Sequence, residues 1–145
     1  MLGHARRLGG SSVGLPDILY TERDYSYLET EFHLIYSCEA KATGQSNLLY
    51  IPNDQINRCF DILRMFNAYD KRIVLFAFKF HGSKTNRRKI KEYMYGIEVN
   101  PHVEIDDILT RKIKAAKFIR CSYEGNLTND LWEILPMIIF RNLKN

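Results

Sequence analysis

Apolar and polar positions form several short strand-like stretches and one helical pattern along the chain. Residues 32–41 (Phe-His-Leu-Ile-Tyr-Ser-Cys-Glu-Ala-Lys) are aromatic, β-branched and aliphatic, then end in two opposite charges, and they read as a buried strand. Residues 17–21 form an earlier strand, and the polar residues 22–27 predict the tip of a hairpin that returns as 32–41. Residues 48–51 are a short apolar stretch. From residue 53 onward, Ile56, Cys59, Phe60, Leu63 and Phe66 recur at helical spacing, which predicts a helix with one apolar face. Asn53 is expected to cap it, with Asp54 in its first turn to suit the helix dipole. Residues 73–80 (Ile-Val-Leu-Phe-Ala-Phe-Lys-Phe) are almost continuously apolar, as in a central strand covered on both faces. Residues 93–99 read as another strand. Residues 1–7 read as the tail end of one, and the Gly/Ser stretch 9–14 as a loop. Residues 106–118 place acids first and bases last, as a helix would, while Pro136 should kink or end any helix in the apolar stretch 131–140 around Trp132. Strand, strand, helix, strand is the order of an α/β fold: a mixed sheet backed by helices.

Candidate chemistry sits at the ends of the hairpin strands. Glu39 and Lys41 are two apart on a strand, so their side chains share a face. A carboxylate and an ammonium at the end of an apolar strand are costly unless they meet partners. Asp17 follows Pro16 at the start of the other strand, and a hairpin brings its two ends together. Two acids and a lysine in this arrangement suit a divalent metal and an activated water. The plainer alternatives are a turn acid after proline and an edge strand whose ends reach solvent. His33 is read as alternating away from Glu39, structural or exposed. With His81 and His102 also scattered, nothing in the sequence favours serine- or cysteine-type catalysis.

Pro16-Asp17 and Glu39-Ala40-Lys41, with the Gly/Ser loop before them and Pro52-Asn53-Asp54-Gln55 opening a helix after them, resemble the PD-(D/E)xK nucleases. The order is most similar to the archaeal Holliday junction resolvases of the Hjc type, over residues 6–80. The resemblance implies a restriction-endonuclease-like mixed β-sheet flanked by helices, and Mg²⁺-dependent phosphodiester hydrolysis at four-way DNA junctions by a homodimer. It implies Asp17, Glu39 and the Ala40 carbonyl as ligands of Mg²⁺, with Mn²⁺ as the alternative. Lys41 would orient the attacking water or offset developing charge. Ser11 and Ser12 would reach a phosphate, and Gln55 would lie near the active site. One feature departs from the pattern. The resolvases place a glutamate-bearing helix well before the Gly/Ser loop, whereas few residues and no acid precede it here. The N-terminal helix is therefore expected to be missing and cutting to be weak, unless Glu22 or Glu31 completes the site.

Composition narrows the classes further. At 145 residues, with 46% apolar and 12% aromatic content, the chain suits one ordered domain, its family-like core in 1–100 and an extension of unknown role in 101–145. A net charge of +4 permits a polyanionic partner. The stretch 84–91 carries Lys84, Arg87, Arg88, Lys89 and Lys91 without an acid, and it is expected to track the phosphates of branched double-stranded DNA; a solvated loop is the bland alternative. Cys38, Cys59 and Cys121 lack the spacing of a zinc site and read as buried free thiols in a reducing compartment. The sequence has no long apolar run and no recognisable signal peptide, so an intracellular protein without a membrane partner is expected. Three readings remain: a junction-resolving endonuclease, an impaired nuclease-fold protein that binds nucleic acid without cutting, and a structural or interaction domain.

Overall fold

The computed structural model describes residues 2–7, 15–25, 31–66, 68–99, 117–130 and 141–142. Strands β2 (Ile18–Tyr25) and β3 (Glu31–Thr43) pair antiparallel, with Ile18 opposite Cys38 and Tyr25 opposite Glu31. Strand β1 (Leu2–Arg7) adds antiparallel to the outer edge of β2. The chain then passes through β4 (Leu48–Pro52) and helix α1 (Asn53–Leu63) before β5 (Lys71–Phe80), which runs parallel to β3. A parallel pair needs such a crossover, because no tight turn can join strands that point the same way. Strand β6 (Lys91–Val99) returns antiparallel to β5, and the short β9 (Arg141–Asn142) meets β6. The large sheet has the order β1-β2-β3-β5-β6-β9. Strand β4 belongs to a separate three-stranded sheet with β7 (Phe118–Ser122) and β8 (Leu127–Asn129).

Among the described residues the fold is thus mixed α/β: a mixed sheet, a second small sheet and one helix. One face of the large sheet carries the core. Ile35 and Ser37 of β3, Val74, Phe76, Phe78 and Phe80 of β5, and Tyr95 and Ile97 of β6 are buried there. The stripe Ile56, Cys59, Phe60 and Leu63 of α1 packs into the same cluster, as do Leu49, Ile51, Ile119 and Cys121 of the small sheet. The helix stripe follows the sequence pattern. The Ser37 hydroxyl donates to the Cys59 carbonyl at 2.6 Å and fixes the helix against β3. Buried Arg72 reaches back from β5 to the Leu63 carbonyl at 3.3 Å, satisfying a backbone acceptor at the end of α1.

Several expectations are corrected. Strand β5 is not evenly covered: its even positions are buried, Ile73, Leu75 and Ala77 are half-buried, and Lys79 is exposed. Its apolar run therefore reflects one core face and one partly covered face. Asn53 is the first helical residue and not the cap; Pro52 holds the cap position, without a side-chain bond, while Asn53 accepts from the Asn57 amide at 3.1 Å. The polar stretch from Glu22 continues as strand to Tyr25, because its backbone pairs with 31–34. Phe118 opens β7 rather than closing a helix. Lys117 is in no helix, and residues 106–116 of the expected helix, the stretch 131–140 and the Gly/Ser loop lie outside the described residues. None of the described helices is long and apolar enough to cross a membrane.

Candidate active site

The hairpin register builds the site. With Ile18 opposite Cys38, the next positions outward are Asp17 and Glu39. The Ala40 backbone amide donates to Asp17 Oδ2 at 2.9 Å, which joins the bend before β2 to the far end of β3. Glu39 belongs to the core face of β3, opposite Phe76 of β5, and only 2% of its side chain is exposed. Lys41 follows on the same face at 26% exposure, its Nζ 3.9 Å from Glu39 Oε1. The three expected residues are brought together.

A fourth group enters from the helix. Arg58 Nη2 stands 3.7 Å from Glu39 Oε1, and its side chain is 11% exposed. Sequence reasoning passed over Arg58. The available signal was a lone cation in α1, directly beside Cys59 of the apolar stripe, so that it flanks the buried face. Gln55 stands three residues earlier on the same flank, half-buried, and its Oε1 is enclosed without a hydrogen-bond partner among the described residues.

The two oxygens of Glu39 differ. Arg58 and Lys41 both approach Oε1, whereas Oε2 is buried with no hydrogen-bond partner among the described residues. Burial pushes the Glu39 pKa up, and the nearby Asp17 carboxylate adds to that. Arg58, Lys41 and the Asp17 backbone amide pull it the other way without cancelling the rise. The same enclosure, with the two acids behind it, pushes the Cys38 thiol up to about 11. Burial drives Cys59 well up and Cys121 to about 12, and all three thiols are free and buried.

Other candidates fall elsewhere. His33 and Glu39 are six residues apart on a regular strand, so they share a face, contrary to expectation; His33 is nevertheless exposed and packs edge-on against Tyr69. Glu22 does not complete the site. Its oxygens accept from the hydroxyls of Tyr20 at 2.8 Å and Tyr36 at 3.0 Å, well along β2 from Asp17. Strand β3 begins at Glu31, at the opposite end from Glu39. Ser11 and Ser12 lie outside the described residues.

The basic stretch divides in two. Lys84, Arg87 and Lys89 are exposed. Arg88 turns inward and donates to the Asn47 side chain at 2.7 Å and to the carbonyls of His81 and Thr43, both at 3.1 Å. Its guanidinium also lies over the rings of Phe80 and Tyr123. Arg88 thereby ties the loop to Thr43, two residues or about 7 Å along β3 from Lys41. An open trough of about 380 Å³ runs beside Lys41, lined in part by Ala40, Ala42, Ala77 and the Lys79–Glu92 ion pair (3.7 Å).

The chain matches no protein-family model and no curated protein. Among the described residues no three His, Cys, Asp or Glu side chains form a metal-binding group. The chemistry of the pair Asp17 and Glu39 nonetheless fits a hard divalent ion that keeps most of its waters, since a buried carboxylate oxygen without a donor stands beside a second acid.

Proposed function

We propose that the chain is a metal-dependent endonuclease for branched DNA, of the Holliday junction resolvase kind that its Pro-Asp and Glu-x-Lys residues resemble. The observation that carries this reading is Glu39 Oε2, a carboxylate oxygen buried on the core face with no hydrogen-bond partner among the described residues. A buried carboxylate left that way is costly, and a cation would compensate it. Asp17, Glu39 and the Ala40 carbonyl would hold Mg²⁺, or Mn²⁺ in its place. Such an ion supplies an acidified water and neutralises charge at phosphoryl oxygens. Lys41, partly exposed on the Glu39 face, would donate to the attacking water or to the charge that develops. Lys84, Arg87 and Lys89, on a loop anchored by Arg88 next to the end of β3, would follow the DNA backbone, with Ser11, Ser12 and Gln55 as further contacts. A two-fold homodimer would bring two such sites to the paired nicks that resolution needs.

Incubation of an end-labelled four-way junction with the protein, in Mg²⁺ and in EDTA, with a linear duplex as control, tests the reading. Mg²⁺-dependent nicks in two opposed strands are expected. Arg58, a second cation on the acid pair, favours another reading: a nuclease-fold protein that binds junctions without cutting them. Salt-sensitive binding without cleavage would select it, and absence of binding at low salt would reject both.

A further inference from the structure

We propose that Arg58 is the resident counter-cation of the acid pair, and that a divalent ion binds there by displacing its guanidinium from Glu39. This rests on the active-site reading above. Glu39 and Asp17 stand together at the end of the hairpin, one of them almost wholly enclosed. Two acids so placed need positive charge nearby, and α1 brings it. The helix is set against β3 by its apolar stripe and by the Ser37–Cys59 bond, and Arg58 on its flank then meets Glu39.

The contact has the form of one that can be exchanged. A charge-assisted hydrogen bond between guanidinium and carboxylate runs at about 2.7–2.9 Å and is often bidentate. Arg58 Nη2 instead stands 3.7 Å from Glu39 Oε1, beyond that range. At that distance it offsets the charge of Glu39, while Oε2 has no hydrogen-bond partner among the described residues. An arriving divalent ion would share Glu39 with a unit charge already in place and be repelled by it. Arg58 therefore opposes metal binding while steadying the metal-free protein. A merely structural arginine, or one that supports the ligands, gives the opposite sign: its loss leaves metal affinity unchanged or weaker.

The test is titration calorimetry of the whole chain with Mn²⁺ alone, paired with thermal melting with and without the ion. Arg58→Gln should bind Mn²⁺ about tenfold tighter than the parent, because one nearby unit charge has been removed. It should also melt lower in EDTA and gain more from added Mn²⁺. Arg58→Lys, which keeps the charge, should bind like the parent. Arg58→Met fills similar space without charge and stands in if the glutamine form fails to fold. Affinity unchanged or weaker in a folded Arg58→Gln or Arg58→Met protein overturns the proposal. Glu39→Gln separates it from the reading beneath it. If that variant binds Mn²⁺ as the parent does, the acid pair is not the metal site, and both fall. If it loses binding while Arg58→Gln is unaltered, the counter-cation role alone falls.

Discussion

Replacing Glu39 with Gln keeps the side chain's shape and removes its charge, so it isolates what ionisation costs at this position. Two cations near Oε1, at 3.7 and 3.9 Å, each offer about 4 kcal/mol of attraction at an effective dielectric near 20. Against them stand the desolvation of a carboxylate that is 2% exposed, which costs several kcal/mol, and repulsion from Asp17. The balance makes ionisation harder in the folded protein than in the unfolded chain, burial outweighing the two cations, so the Glu39 pKa is raised. A raised carboxyl pKa means that the folded chain binds the extra proton between the unfolded and folded values. Stability is then fully present below the unfolded value and is lost as pH rises through the folded one. At pH 8 Glu39 should therefore cost stability, and Glu39→Gln should be the more stable protein by about 1–2 kcal/mol. For a chain of 145 residues that is a rise in Tm of about 2–6 °C. Thermal melts of both proteins in EDTA from pH 4 to pH 8 give the measurement. The gap should be widest at pH 8 and close as the pH falls toward the ordinary glutamate value of 4.5. A glutamine variant less stable at pH 8 by about 3–5 kcal/mol, the cost of breaking a buried ion pair, would show that ionised Glu39 stabilises the fold. Glu39 would then be a structural partner of Arg58, with nothing left for a cation.

Four further outcomes are expected. Gly125 holds φ +88°, and a Cβ there would run into the Tyr93 ring, so Gly125→Ala should cost about 1–3 kcal/mol in chemical denaturation; an unchanged midpoint would show that the turn can yield. Substituting Lys84, Arg87 and Lys89 together with Ala should flatten the salt dependence of junction binding by up to about 0.9 log unit per lost contact and leave Tm unmoved. Arg88→Ala, by contrast, should lower Tm through its lost carbonyl and Asn47 partners, and equal effects of the two variants on melting would contradict the division of the loop. Finally, the thiols of Cys38 and Cys121, at about 11 and 12, should stay protonated at pH 8. Fast labelling of either in the native protein would contradict their enclosure.

Periodicity and local pairing were legible in the sequence. Ile56, Cys59, Phe60 and Leu63 announced the helix face that is buried, and the alternation around Glu39 and Lys41 put both on one face. A hairpin closes over few residues, so the opposition of Asp17 and Glu39 could be read locally. What escaped depends on distant segments. Strand β4 looks like part of the same run of elements, yet its partner is β7, some 70 residues on, and only the folded chain supplies that pairing. Arg58 escaped for the same reason: a cation beside an apolar stripe looks solvated until a specific acid is brought against it. Arg88 looked like one more charge in a basic run, and its inward turn depends on Thr43 and Asn47 across the loop.

Single-turnover cleavage of a four-way junction in Mg²⁺ by the parent and by Asp17→Ala, Glu39→Ala and Lys41→Ala, with junction affinity measured beside it in EDTA, tests the central claim most directly. Each substitution should slow cutting by about a hundredfold or more while affinity changes little, as expected for groups that act on the reacting phosphate. Parental cutting rates in any two of the three variants would contradict that claim.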